Sequence, residues 1–512
     1  MLTPDIRFSP AGRGPIGELL ERFHLRRYAE AHAAKFQRFG GQLGRSTVGL
    51  VRKAAQGVAG VLTVVVLAAS SEPRWPAGRK GCPRAVVAVR GFYVGNVQGP
   101  THGTTTVKAD RSGRNGRLMT AGRLGVLLRR PEQPRAAFLE LFSDLVFVLA
   151  FVRLSQHLLE HLSWTGAFQT LVLLFAMMHV WVSTARFTDL FDPLHPLVQL
   201  FTMPIIFGTL VMAAATPEAF GRRGLVFIGA YLALRLGGLA VAIYFLRGHE
   251  VQPSAVRILF WVGVASPAWI AGALLPGWVR GALWLTAAGV EYAGIALGFP
   301  TPRLGRGGER RFEVVASAEH VAERFQQFFI VALGEPILVT GLTFANGPFG
   351  ADRSAAALVA FATTALLWRI YIHRAGALLA DAIAATTNLN RVAIATVYAH
   401  VIMAAGIVTI AVGDELVITH PLGHPDPAWT AVILAGPALF LAGRATFEYA
   451  VFGRVSPTRV IGALALVALT PAMRPVPPLA VATTAALILA GVAVADAART
   501  RRFPSEQPSP PG

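Results

Sequence analysis

Glu140–Phe151 reads ELFSDLVFVLAF, two carboxylates one helical turn apart inside an apolar run long enough to cross a bilayer. A charge at membrane depth costs at least ~2.5–3.5 kcal/mol on insertion scales, so Glu140 and Asp144 mark this segment for function. In a helix, residues four apart stand one above the other, which puts both carboxylates on one face. Each raises the cost of ionising the other, and such a pair suits a shared proton or a bound cation. Further along the same segment, Arg153, His157 and Glu160 are spaced for i, i+3 and i, i+4 pairing at the opposite interface.

Composition agrees with a membrane protein. The 512 residues are 54% hydrophobic and 15% charged, with a mean hydropathy of +0.51, values that exclude a disordered chain and fit a polytopic one. The net charge of +19 is unevenly placed: residues 1–118 carry 19 Lys/Arg against 6 Asp/Glu, and the remaining chain carries 28 against 22. The excess lies in a Gly/Pro/Arg-rich leader without sustained periodicity, so the charge does not signal nucleic-acid binding. We expect residues 1–118 to be a disordered basic leader, with Met119 an alternative start. The single cysteine, Cys82, falls in that leader, and the rest of the chain can form neither a disulfide nor a Cys-ligated metal site.

From Phe138 onward, hydrophobic windows of about 17–25 residues recur between short polar breaks. They predict an all-α transmembrane bundle of about twelve spans, at 138–159, 164–186, 195–216, 224–246, 255–275, 278–298, 319–344, 354–373, 391–412, 428–447, 456–472 and 478–496, with a transmembrane domain over 119–497. Residues 498–512 read as a disordered cytoplasmic tail. One set of connections holds Arg129/Arg130/Arg135, Arg247/Arg257, Arg303/Arg306/Arg310/Arg311, Arg374/Arg391, Arg454/Arg459 and Arg499/Arg501/Arg502. The other holds Arg222, Arg223, Arg280, Arg353 and Arg474. The richer side is cytoplasmic by the positive-inside rule, which places both termini there in an inner membrane. Gly413–Pro427, with Asp414, Glu415 and Asp426 and no Lys or Arg, reads as an external loop.

Colinear matches suggest two parallel six-helix repeats. Glu140-Leu-Phe answers Glu323-Arg-Phe, Trp181 and Arg186 answer Trp368 and Arg374, and Arg235 answers Arg444. Span 7 is the second focus of polarity. Glu319 sits in its first turn behind the N-cap candidate Ser317. Glu323 lies one turn deeper, with Gln326 and Gln327. Glu335 falls at mid-span between Gly334 and Pro336, a helix break of the kind found where backbone lines a transport site. His179, Arg235, Glu291, Arg369, His400, Arg444 and Glu448 read as halves of buried ion pairs, although Glu291 has no basic neighbour in its own span. His320 and Glu323 have the i, i+3 spacing of helical metal ligands, in one copy only. His420-Pro-Leu-Gly-His424 reads as a solvated turn, and no metal site or cofactor is expected. Walker, GxSxG, HExxH and dinucleotide-binding motifs are absent from the sequence.

These segments carry a resemblance. Glu140-Leu-Phe-Ser-Asp-Leu-Val-Phe-Val is similar to the ELFFDLVFVFA signature of the bacterial low temperature requirement A family. His320-Val-Ala-Glu-Arg-Phe, continuing to Ile330-Val-Ala-Leu-Gly-Glu335, resembles its HxxERF…IIALGESI stretch. Val412-Gly-Asp-Glu415 and His420-Pro-Leu-Gly-His424 resemble its VGDE and HPxGH segments. The match runs from about Pro134 to span 11. Ser143 stands where Phe is usual and Pro336 where Ser is usual. The resemblance implies a multi-pass inner-membrane protein, associated by the family name with growth in the cold, and it implies no substrate. It selects Glu140, Asp144, His320, Glu323, Arg324, Gly334 and Glu335.

Residues and resemblance together lead to a proton- or cation-coupled secondary transporter, its partners the lipid bilayer and a small ion or molecule. Its site would lie between spans 1 and 7, built from Asp144, Glu140, Glu323 and Glu335 with His320 and Arg324. An ion channel uses the same residues, and Phe142-Ser143-Asp144 resembles the FSD motif of one potassium-channel family. A membrane-embedded enzyme acting on a lipid-linked substrate needs a nucleophile or metal set that the sequence does not display.

Overall fold

The computed structural model describes residues 127–128, 138–305, 318–376, 378–386, 389–424, 426–502 and 507–510, with a few side chains at the edges of these stretches left out. The leader and Met119 lie outside the described residues. The ordered elements are helices α1 Phe138–Glu160, α2 Trp164–Leu190, α3 Pro196–Ala215, α4 Gly224–Phe245, α5 Gln252–Leu274, α6 Gly277–Leu297, α7 Ala318–Ala345, α8 Ala351–Tyr371, α9 Leu379–Ala385, α10 Leu389–Thr419, α11 Pro427–Phe452, α12 Pro457–Leu469 and α13 Pro478–Arg502. No strand occurs among the described residues, which hold two isolated β-bridges.

Local chemistry sets several of the ends. The Ser163 side chain accepts from Gly166 N to cap α2, and Asp426 accepts from Ala428 N to cap α11. Left-handed glycines, Gly298 at φ 70° and Gly453 at φ 64°, close α6 and α11.

Among the described residues, nine helices are long and apolar enough to span a membrane: α2, α3, α4, α5, α7, α8, α10, α11 and α13. Helices α1 and α6 have 23 and 21 residues but carry more polar groups. Helix α12 has only 13 residues, about 20 Å of rise against a hydrocarbon core of about 30 Å, so it does not cross by itself. The short helix α9 was not expected.

Three further expectations are corrected. The expected loop Gly413–Pro427 begins later: α10 continues to Thr419, because Leu416, Val417 and Ile418 extend its apolar pattern, and Asp414 is buried. Residues 498–502 belong to α13 rather than to a tail, and Ser509 N donates to Val451 O at 3.1 Å. Arg257, Arg280 and Arg459, counted among the loop charges, are buried. Arg280 donates to carbonyls at Gly272, Leu275, Ala219 and Gly221, and Arg459 joins an ion-pair network. The remaining arginines keep the same asymmetry.

Helices pack largely on their neighbours along the chain. Helix α1 packs on α2 and α3, α3 on α4, α4 on α5, α5 on α6, and α2 on α6. Likewise α7 packs on α8 and α10, α10 on α11, α11 on α12, α12 on α13, and α8 on α13. Helix α1 also packs on α7 and α10. The tightest approach is α10 against α11, where small residues bring backbones together. A Cβ on Gly406 would meet Phe440 N at 2.6 Å, one on Gly436 would meet Ile410 N at 2.8 Å, and one on Gly443 would meet Met403 N at 2.7 Å.

Candidate functional site

Helices α1 and α7 lie side by side and run in the same direction, and their polar groups face one another in a constant register. His320 faces Glu140, Arg324 bonds Asp144, and Glu335 stands beside Ser155. Each contact joins a residue to one 180 positions later, as two parallel helices of equal pitch require.

The first level sits where α1 and α7 begin. His320 Nε2 is 2.9 Å from Asp189 Oδ1 and 3.4 Å from Glu140 Oε1. All three residues are buried, and they come from α7, α2 and α1.

One turn further, Arg324 grips Asp144 with both terminal nitrogens, Nη1 to Oδ2 at 2.8 Å and Nη2 to Oδ1 at 3.2 Å. Trp181 Nε1 donates to Asp144 Oδ1 at 3.2 Å, and Arg324 Nη1 also donates to Gln327 at 2.9 Å. This is a buried, bidentate pair with further hydrogen bonds, the geometry in which mutual attraction offsets desolvation.

Above it the seam is apolar. Phe151 of α1 meets Phe328 of α7, and Phe147, Phe329 and Ala332 belong to the same core, all at most 2% exposed. Phe151 and Phe328 pack edge to face at 5.7 Å, and Phe328 lies 4.4 Å from the Trp181 ring.

Glu335 lies past this block, eleven residues or about 16 Å beyond Arg324. It is fully buried, and neither carboxylate oxygen has a hydrogen-bond partner among the described residues. Its polar neighbours are the Ser155 hydroxyl, Asp414 and Glu415. Asp414 Oδ2 is likewise buried without a partner there. Helix α7 runs unbroken through Gly334 and Pro336, so the expected helix break is absent. Proline still withholds its N–H from the carbonyl of Ala332. Gly334 faces the Val148 side chain.

The sequence-predicted residues therefore divide. Glu140 and His320 share one level, Asp144 and Arg324 the next, and Glu335 a third. Glu323 is half-buried, off the stripe that His320 and Arg324 present to α1. Asp189 and Ser155 belong to the seam without having been singled out from sequence, and Trp181 and Asp414, read there as a repeat match and a loop acid, join it too. Asp189 falls three residues past the expected end of span 2, and Asp414 was assigned to a loop. Both positions would have followed from longer helices.

A cavity of about 260 Å³ opens beside the first two levels, with Trp181, Arg186, Asp189, Arg235 and Arg324 among its lining. Arg235 is held there by Glu291 at 2.7 Å and also bonds Ser183. Glu291 accepts from Tyr231 at 2.7 Å and Trp269 at 2.8 Å, so its basic partner comes from α4 rather than from its own span. Elsewhere Glu448 pairs with Arg459 as half of a buried ion pair, whereas Arg444 donates to the carbonyls of Ile370 and His373. At the far end of α1, Arg153 bonds Gln156 and His157 contacts Pro217 O.

The model of the family described as "Bacterial low temperature requirement A protein (LtrA)" matches residues 135–494. A protein of Rhizobium meliloti (strain 1021), described as "Uncharacterized protein RA0937", is 35% identical over 317 residues, 61% of this chain and 76% of the relative. No solved structure gives a significant match.

Proposed function

The chain belongs to the bacterial low temperature requirement A family, and from that premise we propose that it is a proton- or cation-coupled secondary transporter of the inner membrane. The observation that carries this reading is Glu335. A fully buried carboxylate with no cation and no hydrogen-bond partner beside it among the described residues is too costly to keep charged, so a proton or cation must accompany it. Its neighbour Asp414 gives a second carboxylate to the same site.

The rest of the seam supports an alternating mechanism. Asp144 and Arg324 neutralise each other and hold α1 against α7 rather than exchanging ions. The phenylalanine block separates Glu335 from the Glu140–His320 level, an arrangement that suits two sites opened in turn to opposite sides of the membrane. The repeated neighbour pattern of the two helix sets supports two parallel six-helix repeats, rocking against each other along α1 and α7. The arginine-rich connections support cytoplasmic termini, with the Glu140–His320 level facing the cytoplasm.

Reconstitution in liposomes with pH- and voltage-sensitive dyes tests the reading. Saturable flux in the unmodified protein, lost in Glu335→Gln, is the expected result. Equal flux in the variant would sink the assignment of Glu335, and large non-saturating currents would favour a channel over a transporter.

A further inference from the structure

Glu140, Asp189 and His320 sit far apart in sequence, on three different helices, yet converge on one point. Each offers one ligand atom, and the three atoms lie within 4.8 Å of one another. Donors held by one ion at about 2.1 Å stand about 3.0–3.4 Å apart in octahedral or tetrahedral arrangements. The imidazole nitrogen lies 2.9 Å and 3.4 Å from its two carboxylate oxygens. Two of the three spacings are therefore those of a coordination shell, and the third, between the two carboxylate oxygens, is at most 4.8 Å, so a small closing movement completes it.

We propose that Glu140, Asp189 and His320 form a binding site for a divalent transition-metal ion of the Mn2+, Fe2+ or Zn2+ class. One imidazole with two carboxylates is a mixed N/O set, which suits these ions better than thiolate-seeking Cu+ or an all-oxygen Ca2+ site. Burial supports the assignment, since Glu140, Asp189 and His320 are 0%, 5% and 1% exposed. An entry path exists as well, because Asp189 lines the 260 Å³ cavity. Three protein donors leave room for a water or exchangeable ligand on that side. Neighbouring Arg186, three residues before Asp189, also acts on that carboxylate, so the competing account is an ion pair in which His320 serves the two acids without metal.

The site shares Glu140 and His320 with the cytoplasmic level of the transport reading but does not depend on transport, and its test needs no gradient. The full chain is purified in detergent without a polyhistidine tag, stripped with chelator, and titrated with Mn2+, Co2+ and Zn2+. The expected result is one saturable ion per chain, with affinity lowered at least about tenfold in Glu140→Gln, Asp189→Asn and His320→Ala. It should be unchanged in the His420→Ala/His424→Ala control. If a site variant fails to fold, the unmodified protein still decides. Pulsed EPR of its bound Mn2+ should show coupling to a single imidazole nitrogen. Absence of saturable binding, bound Mn2+ without nitrogen coupling, or equal affinity in folded site variants would overturn the proposal and leave an ion pair only.

Discussion

Arg324 of α7 lies across the helix seam from Asp144 of α1, with both of its terminal nitrogens on the carboxylate. Removing one partner leaves the other buried and uncompensated, which costs about 3–5 kcal/mol. Asp144→Asn and Arg324→Gln should each destabilise the protein by that order. The double variant should recover part of the loss. Chemical unfolding in detergent measures this cycle, and fully additive losses would show that the two side chains are not coupled.

Glu335 should behave in the opposite way. Amide replaces protonated carboxyl at nearly equal volume, and neither oxygen has a hydrogen-bond partner among the described residues. Glu335→Gln should therefore leave the unfolding midpoint close to that of the unmodified protein while abolishing flux.

The network at Arg459 ties three helices together. It donates to Glu448 of α11 at 2.6 Å and to Asp496 of α13 at 2.8 Å from its own place on α12. Because α12 is too short to cross the bilayer alone, these bonds carry much of its attachment. Arg459→Met should lower stability by about 3–5 kcal/mol and expose the α12–α13 turn to limited proteolysis. Unchanged cleavage would argue against this role.

Close packing of α10 on α11 gives a prediction free of charge effects. A methyl at Gly436 or Gly443 collides with backbone atoms rather than a movable side-chain end. Gly436→Ala and Gly443→Ala should each cost roughly 1–3 kcal/mol as the helices separate. Gly229→Ala, where a Cβ meets nothing within 4 Å, is the matched control and should be near neutral or mildly stabilising.

Orientation is checked with single cysteines in a Cys82→Ser background. Glu250→Cys, in the exposed turn after α4, should react with an impermeant thiol reagent only after the inner membrane is opened. Arg222→Cys, exposed before α4, should react in intact spheroplasts. The reverse pattern would invert the assigned topology.

Much of this architecture was legible in the sequence, because membrane helices advertise themselves by hydrophobic runs. The same signal picked Glu140, Asp144 and Glu335, since charges within such runs stand out. It failed at helix ends. Hydropathy stops a span at its first polar cluster, so Asp189 and Asp414 were placed in loops although both helices continue past them. Partner choice was also hidden. Glu291 looked unpaired because its arginine arrives from another helix, and His320 suggested pairing with Glu323, along its own helix, when it turns instead to α1 and α2. The length of α12 could not be read either, because proline-rich flanks blurred where its apolar run ends.

The 180-residue register between α1 and α7 has a consequence for biogenesis. At about 5–20 residues per second, ribosomal synthesis takes roughly 10–40 s to deliver His320 and Arg324 after Glu140 and Asp144 have emerged. During that interval α1 carries two acidic groups whose seam partners are not yet made. Its hydropathy is also among the weaker in the chain, so its early retention in the bilayer depends on α2 and α3, or on the insertion machinery that shelters it. Variants that weaken those early contacts should therefore be lost during synthesis, even when the finished protein would tolerate them.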